Sequence, residues 1–327
     1  MLTEHWTFDP VLSGIVVVAL VHARGVRRLN RSTSAARRTR RRREAVFFDL
    51  GLLVLALAIA SPIDYYADEY LFVHMVQHLL LLFAAPAAVV AGAPWIPLEK
   101  GMSVRVRRSA GRFLVLSPWA RPLRGLGRFG RSPWVAVIGL NVAVVFWHLP
   151  APLDLAEENQ VVHDLLMHGS FFVFGVLLFL HLINSRPFRV TMSPQAQMVA
   201  IFTTAIVFWV FAMALGLFSR GAVYPWYRAH EGPLLTPYAD QQIAAGIMWV
   251  CGDFWAIPAM TRAVRRLMEE RRARDLTGSV GGGSLAGFNK VGAAHARAKM
   301  LDALREEPLR EGAEIAAGRG ADGGGVL

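Results

Sequence analysis

Seven apolar segments, joined by loops that alternate between arginine-dense and arginine-poor, constrain this chain more than any other feature. They run over Pro10–Arg24, Val46–Ala60, Tyr70–Trp95, Pro133–His148, His163–Ile183, Gln195–Phe218 and Asp240–Thr261. A helix needs about 20 apolar residues to cross the ~30 Å hydrocarbon layer, and most of these segments approach that length. Charged residues make up only 18% of the chain, against about a quarter in soluble domains. The expected fold is therefore all-α, a polytopic membrane helix bundle of about seven transmembrane helices.

The loops set the expected orientation. Residues 24–44 carry ten arginines, residues 99–132 carry nine Lys or Arg, Arg186 and Arg189 follow the fifth segment, and twelve more lie from Arg262 onward. Only Arg220 and Arg228 fall on the opposite side. Basic loops stay in the cytoplasm, which puts the N-terminus outside and the C-terminus inside. The transmembrane domain is expected over 1–268, with strongly basic cytoplasmic loops at 25–45 and 99–132. A disordered cytoplasmic tail is expected over 269–327, rich in Gly, Ala, Arg and Glu. Within 99–132, arginines mixed with Phe, Leu and Trp point to a helix lying on the anionic inner leaflet. The acidic start MLTEHWTFDP lacks the basic region of a cleavable signal peptide.

The net charge of +11 is spent on topology, so nucleic acid is not an expected partner; the lipid bilayer is. One cysteine, Cys251, excludes an intrachain disulfide and a multi-thiolate metal site. Asp49 and Asp253 lie within apolar segments, where a contact with a loop arginine is the favoured role.

Ionisable side chains inside a membrane are costly and usually functional. In the expected topology seven of the ten histidines lie toward the outer side: His5, His74, His78, His148, His163, His168 and His230. His74 and His78, four apart, share a helix face in the manner of paired imidazole metal ligands. In regular α-helix His163 and His168 point about 140° apart, so they are not expected to hold one ion together. Asp164 shares a face with His168 and is expected to orient it. The expected ligand set is His74, His78 and one of His148 or His168, with His163 nearby. Met75 adds a soft thioether that would favour Cu(I) over oxygen-seeking cations. Gln77, Asp240 and Gln241 are the other polar side chains expected to support the ligands.

Three stretches carry a family resemblance: LALAIASPIDYYADEYLFVHMVQHLLLLFAAP around His74, WHLP at Trp147–Pro150 followed by His163 and His168, and YPWY at Tyr224–Tyr227 followed by DQQIAAGIMW. Together they resemble the CtaG-type cytochrome c oxidase assembly family, from about Trp6 to Asp253, with departures at Ala87 and His181. The resemblance implies a non-enzymatic factor of the cell membrane that handles copper for a haem–copper oxidase. Its partners would be an oxidase subunit and a copper chaperone.

Other classes fit less well. A haem-binding membrane oxidoreductase or haem-handling protein is the main alternative, since paired histidines can ligate haem iron. HMVQH has Met75 where a zinc protease needs its glutamate base. Lys100, Lys290 and Lys299 lie outside the apolar segments, leaving retinal no attachment point.

Overall fold

The computed structural model describes residues 10–31, 34–130, 132–230 and 232–282. The chain falls into two units, Met1–Leu267 and Met268–Leu327. The first is a helical bundle containing α1 (Pro10–Asn30), α2 (Ala35–Ala60), α3 (Pro62–Glu69), α4 (Leu71–Ala91), α5 (Trp95–Gly101), α6 (Val104–Leu116) and α7 (Arg121–Phe129). It continues through α8 (Pro133–Trp147), α9 (Pro150–Glu158), α10 (Val162–Leu182), α11 (Pro194–Phe218), α12 (Pro225–Ala229) and α13 (Pro237–Val250) to α14 (Ala256–Gly282). Within the second unit, the described residues continue α14 as far as Gly282. The boundary expected for the tail thus falls within a helix, and the rest of the expected disorder concerns 283–327, outside the described residues.

Four helices (α4, α10, α11 and the Pro237–Asp275 run) are long and apolar enough to cross a membrane. Two bent pairs bring the number to six: α2 with α3, bent by 42°, and α8 with α9, bent by 78°. The first expected span corresponds to α1, a 21-residue helix outside that count. Large apolar side chains such as Leu53, Ile138, Val142, Phe202 and Val210 are exposed on these helices. So large an apolar exterior is unusual for a soluble monomer and suits a lipid-facing one. The chain is a membrane protein. The basic regions expected as loops are largely helical: α1 runs to Asn30, α2 starts at Ala35, and 99–132 contains α6 and α7. Every side chain of α6 lies outside the core.

Local sequence explains the element boundaries. Pro follows Ser or Thr at the starts of α3, α11 and α13, where its fixed φ and missing N–H suit the first helical turn. Ser61, Ser193 and Thr236 accept from the backbone N–H groups of Ile63, Ala196 and Ala239 at 3.1, 3.2 and 3.3 Å, as helix caps do. The start of α4 is capped from another helix. Asp240 of α13 accepts from the N–H groups of Leu71 and Phe72 at 2.7 and 2.9 Å.

The core contains Leu71, Met75, Leu82, Leu140, Phe171, Phe208 and Met248, drawn from α4, α8, α10, α11 and α13. α4 and α10 meet where Gly175 lies against the backbone of Leu82; a Cβ there would come within 2.3 Å of the Leu82 oxygen. Near their N-terminal ends these two helices carry His74, His78, His163 and His168. That end also holds α3, α9 and α12, and it is remote from the arginines at the α1–α2 turn.

Candidate metal centre

The site grows out of two departures from regular α-helix. α10 opens with a π-helical turn over Val162–His168, and α4 contains another over Leu80–Ala84, starting two residues after His78. Hydrogen bonds in a π turn run from i to i+5, so residues five apart come to nearly the same face. His163 and His168 therefore do not diverge; their ring centroids are 4.1 Å apart. This corrects the expectation that the two could not share an ion, which assumed α-helical rotation. π turns occur frequently at functional sites.

His74, His163 and His168 each offer a ring nitrogen, and these three nitrogens all lie within 4.8 Å of one another. Nitrogens bound to one metal at 2.0–2.1 Å stand about 3.4 Å apart, so small side-chain adjustments bring the three onto an ion. His78 packs beside them, with ring centroids 4.1 Å from His74 and 5.5 Å from His168. The cluster is sealed: His74 is 0%, His78 1%, His148 2%, His168 4% and His163 7% exposed.

The partners of the Nδ1 atoms define the chemistry. His148 Nδ1 donates to the Val144 carbonyl at 2.7 Å, which leaves its Nε2 to accept from His78 Nδ1 at 3.4 Å. His163 Nδ1 donates to Asp164 at 3.0 Å, and the same carboxylate lies 4.0 Å from His168 Nδ1. His74 Nδ1 lies 3.0 Å from Glu157 and 2.9 Å from the Tyr227 hydroxyl. The Nε2 atoms of His74, His78, His163 and His168 are all buried without a hydrogen-bond partner. Buried polar atoms are normally satisfied. Buried imidazole nitrogens without partners, three of their residues bringing a ring nitrogen within 4.8 Å of one another, with the equally unpartnered Glu157 Oε1 beside them, are what a histidine metal site requires.

The remaining expected residues take structural positions. Met75 belongs to the apolar core, about 100° around α4 from His74. His148 sits behind His78. Gln77 donates to the Ala58 carbonyl at 2.8 Å and to Asp64 at 2.7 Å, tying α4 to α2 and α3. Gln241 accepts from Val223 N–H at 2.6 Å and donates to Leu215 O and Ser219 Oγ at 3.1 and 2.8 Å, fixing the approach to α12. Asp164 faces both His163 and His168. His230 stacks on Trp226, His22 and His181 lie near the arginine-bearing end, and His5 falls outside the described residues. Asp49 and Asp253 meet His22 (3.8 Å) and Trp209 (2.5 Å), not the loop arginines expected for them.

Two residues of the site escape a reading of the sequence. Glu157 lies on α9, which turns sharply across the end of the bundle after the WHLP stretch. Leu153, Ala156 and Glu157 share its buried face, the Glu157 side chain being 1% exposed. Glu158 points out to solvent. Tyr227 reaches in from α12. Burial, and then the neighbouring Glu157 carboxylate, push its phenol well above the usual range, so it keeps its proton. α9 and α12 are laced together and to their neighbours: Asp154 accepts from Trp226 N–H at 3.0 Å, and Tyr224 donates to the His148 carbonyl at 2.9 Å.

The profile of the cytochrome c oxidase caa3 assembly factor family (Caa3_CtaG) matches residues 20–270. The chain belongs to this family. The match spans about three quarters of this assembly factor and includes every residue of the cluster. No curated protein and no solved structure matched the chain. Haem handling is not favoured for this family member, because rings packed 4.1 to 6.2 Å apart leave no space for a macrocycle between them.

Proposed function

We propose that this assembly factor binds a copper ion as Cu(I) through His74, His163 and His168, with His78 alongside, and passes it to a haem–copper oxidase subunit. The buried, unpartnered Nε2 atoms in a cluster where His74, His163 and His168 bring ring nitrogens within 4.8 Å of one another are the observation that carries the proposal. Imidazole suits copper among the first-row metals, and burying a monovalent ion costs less than burying a divalent one. Gln77, Asp164, Asp240 and Gln241 support the ligands through the hydrogen bonds described above. Met75 stays in the apolar core and contributes no sulfur ligand.

The concentration of arginines at the other end supports an extracytoplasmic position for this centre in the cell membrane. Copper would reach it there from a chaperone and leave it there for the oxidase. Such a role needs binding and release without turnover, so the protein acts as a factor and not as an enzyme.

The test is complementation. A strain lacking the gene, carrying the His74→Ala/His168→Ala variant at normal membrane abundance, should lose oxidase activity in low copper and recover part of it in excess copper. Wild-type activity in low copper would contradict the proposal.

A further inference from the structure

Among the described residues, His74 Nδ1 has two polar side chains close by: it hydrogen-bonds the Tyr227 hydroxyl at 2.9 Å, and Glu157 Oε1, buried with no hydrogen-bond partner, lies 3.0 Å away. Tyr227 has one hydroxyl hydrogen. The Ala67 carbonyl, 2.8 Å away, accepts it, so the Tyr227 oxygen faces His74 as an acceptor. A Glu157 carboxylate also only accepts. The Tyr227 hydrogen bond therefore calls for a hydrogen on Nδ1, the negative charge of Glu157 beside it favours the same form, and the unpartnered Nε2 keeps its lone pair. Free histidine in water favours the opposite form, with hydrogen on Nε2. That form would turn an N–H into the cluster and abolish the ligand.

We propose that Tyr227, seconded by the charge of Glu157, is the positioning residue of the centre, holding His74 in the Nδ1–H form and leaving its Nε2 for the ion. The assignment deepens the copper reading and rests on it for its purpose, while the tautomer itself is a property of the ion-free protein. The two residues come from separate elements, α9 and α12, both packed over the same end of the bundle. Glu157 also lies 3.8 Å from His163 Nε2, so one carboxylate spans the back of His74 and the front of His163. Carboxylate–histidine–metal arrangements fix ring orientation in this way, and losing the outer partner typically lowers metal affinity about 10–100-fold.

The experiment uses the full-length protein in lipid nanodiscs, ¹⁵N-labelled at histidine, stripped of metal with a chelator and examined by NMR. The His74 signal is assigned by its loss in His74→Gln. We expect a protonated Nδ1 and an unprotonated Nε2 at His74 in the wild type. The form should persist in Glu157→Gln, which leaves the Tyr227 acceptor in place, and be lost in the Glu157→Leu/Tyr227→Phe double variant. His148, whose Nδ1 donates to the Val144 carbonyl, reports in every sample that the bundle is folded. Titration with Cu(I) against a competing chelator should show at least tenfold weaker binding in the double variant. A His74 protonated on Nε2 in the wild type, or an unchanged His74 signal in the double variant, overturns the proposal. The expected tautomers without Cu(I) binding by any variant would leave it standing and remove the copper reading instead.

Discussion

Replacing Gly175 with alanine places a methyl group 2.3 Å from the backbone oxygen of Leu82 and 2.8 Å from Cγ of Pro86. Side-chain carbons essentially never approach other atoms closer than 3.0 Å, so α4 and α10 must part by at least 0.7 Å there. A backbone oxygen within a helix cannot rotate away as a flexible side chain can. Overpacking of this kind costs about 1–3 kcal/mol. The proposed ligands sit on the two helices being separated: His74 on α4, His163 and His168 on α10. The variant should therefore lose stability and Cu(I) affinity together. Thermal unfolding in detergent and chelator competition measure the two effects. Gly246→Ala serves as the control, since a Cβ there meets nothing within 4 Å and alanine is the better helix former. A Gly175→Ala protein as stable as the wild type, binding Cu(I) as tightly, would refute the argument that this close approach sets the spacing of the site.

Two further outcomes follow from the same structure. Asp240→Ala leaves the N–H groups of Leu71 and Phe72 without their acceptor; losing such a cap costs about 2 kcal/mol, and the thermal midpoint should fall along with Cu(I) affinity. Burial, and secondarily Asp154, raise the Tyr224 phenol above its usual range. Its neutral form is thus favoured by folding. That stability is fully present below about pH 10, the pKa of an unfolded tyrosine, and is lost as pH rises further. Tyr224→Phe should therefore flatten the alkaline fall in thermal midpoint, and an equally steep fall in the variant would count against it.

The sequence displayed the helical class and the arginine alternation because both depend on composition and order alone. His74 and His78 were visible as a pair, since spacing by four is decisive once a helix is granted. His163 and His168 were not, because their convergence depends on a π turn that leaves no mark in apolar periodicity. Glu157 was indistinguishable from Glu158 until the bend after WHLP gave α9 a buried face. Tyr227 joins the site through tertiary packing across 153 residues of sequence. Met75 misled for a simple reason: neighbours in sequence point about 100° apart on a helix, so adjacency to His74 carried it into the core. Asp240 and Gln241 were recognisable as polar groups in an apolar segment, but their work, capping α4 and bracing the approach to α12, depends on partners far away in the chain.

The most direct test of the proposed copper centre is X-ray absorption at the copper edge, on the full-length protein loaded with one equivalent of Cu(I) in nanodiscs. The proposal predicts three nitrogen neighbours at about 2.0 Å with the outer-shell scattering of imidazole, falling to two in His168→Ala. A sulfur shell, or a spectrum unchanged by that substitution, would show that the copper lies elsewhere.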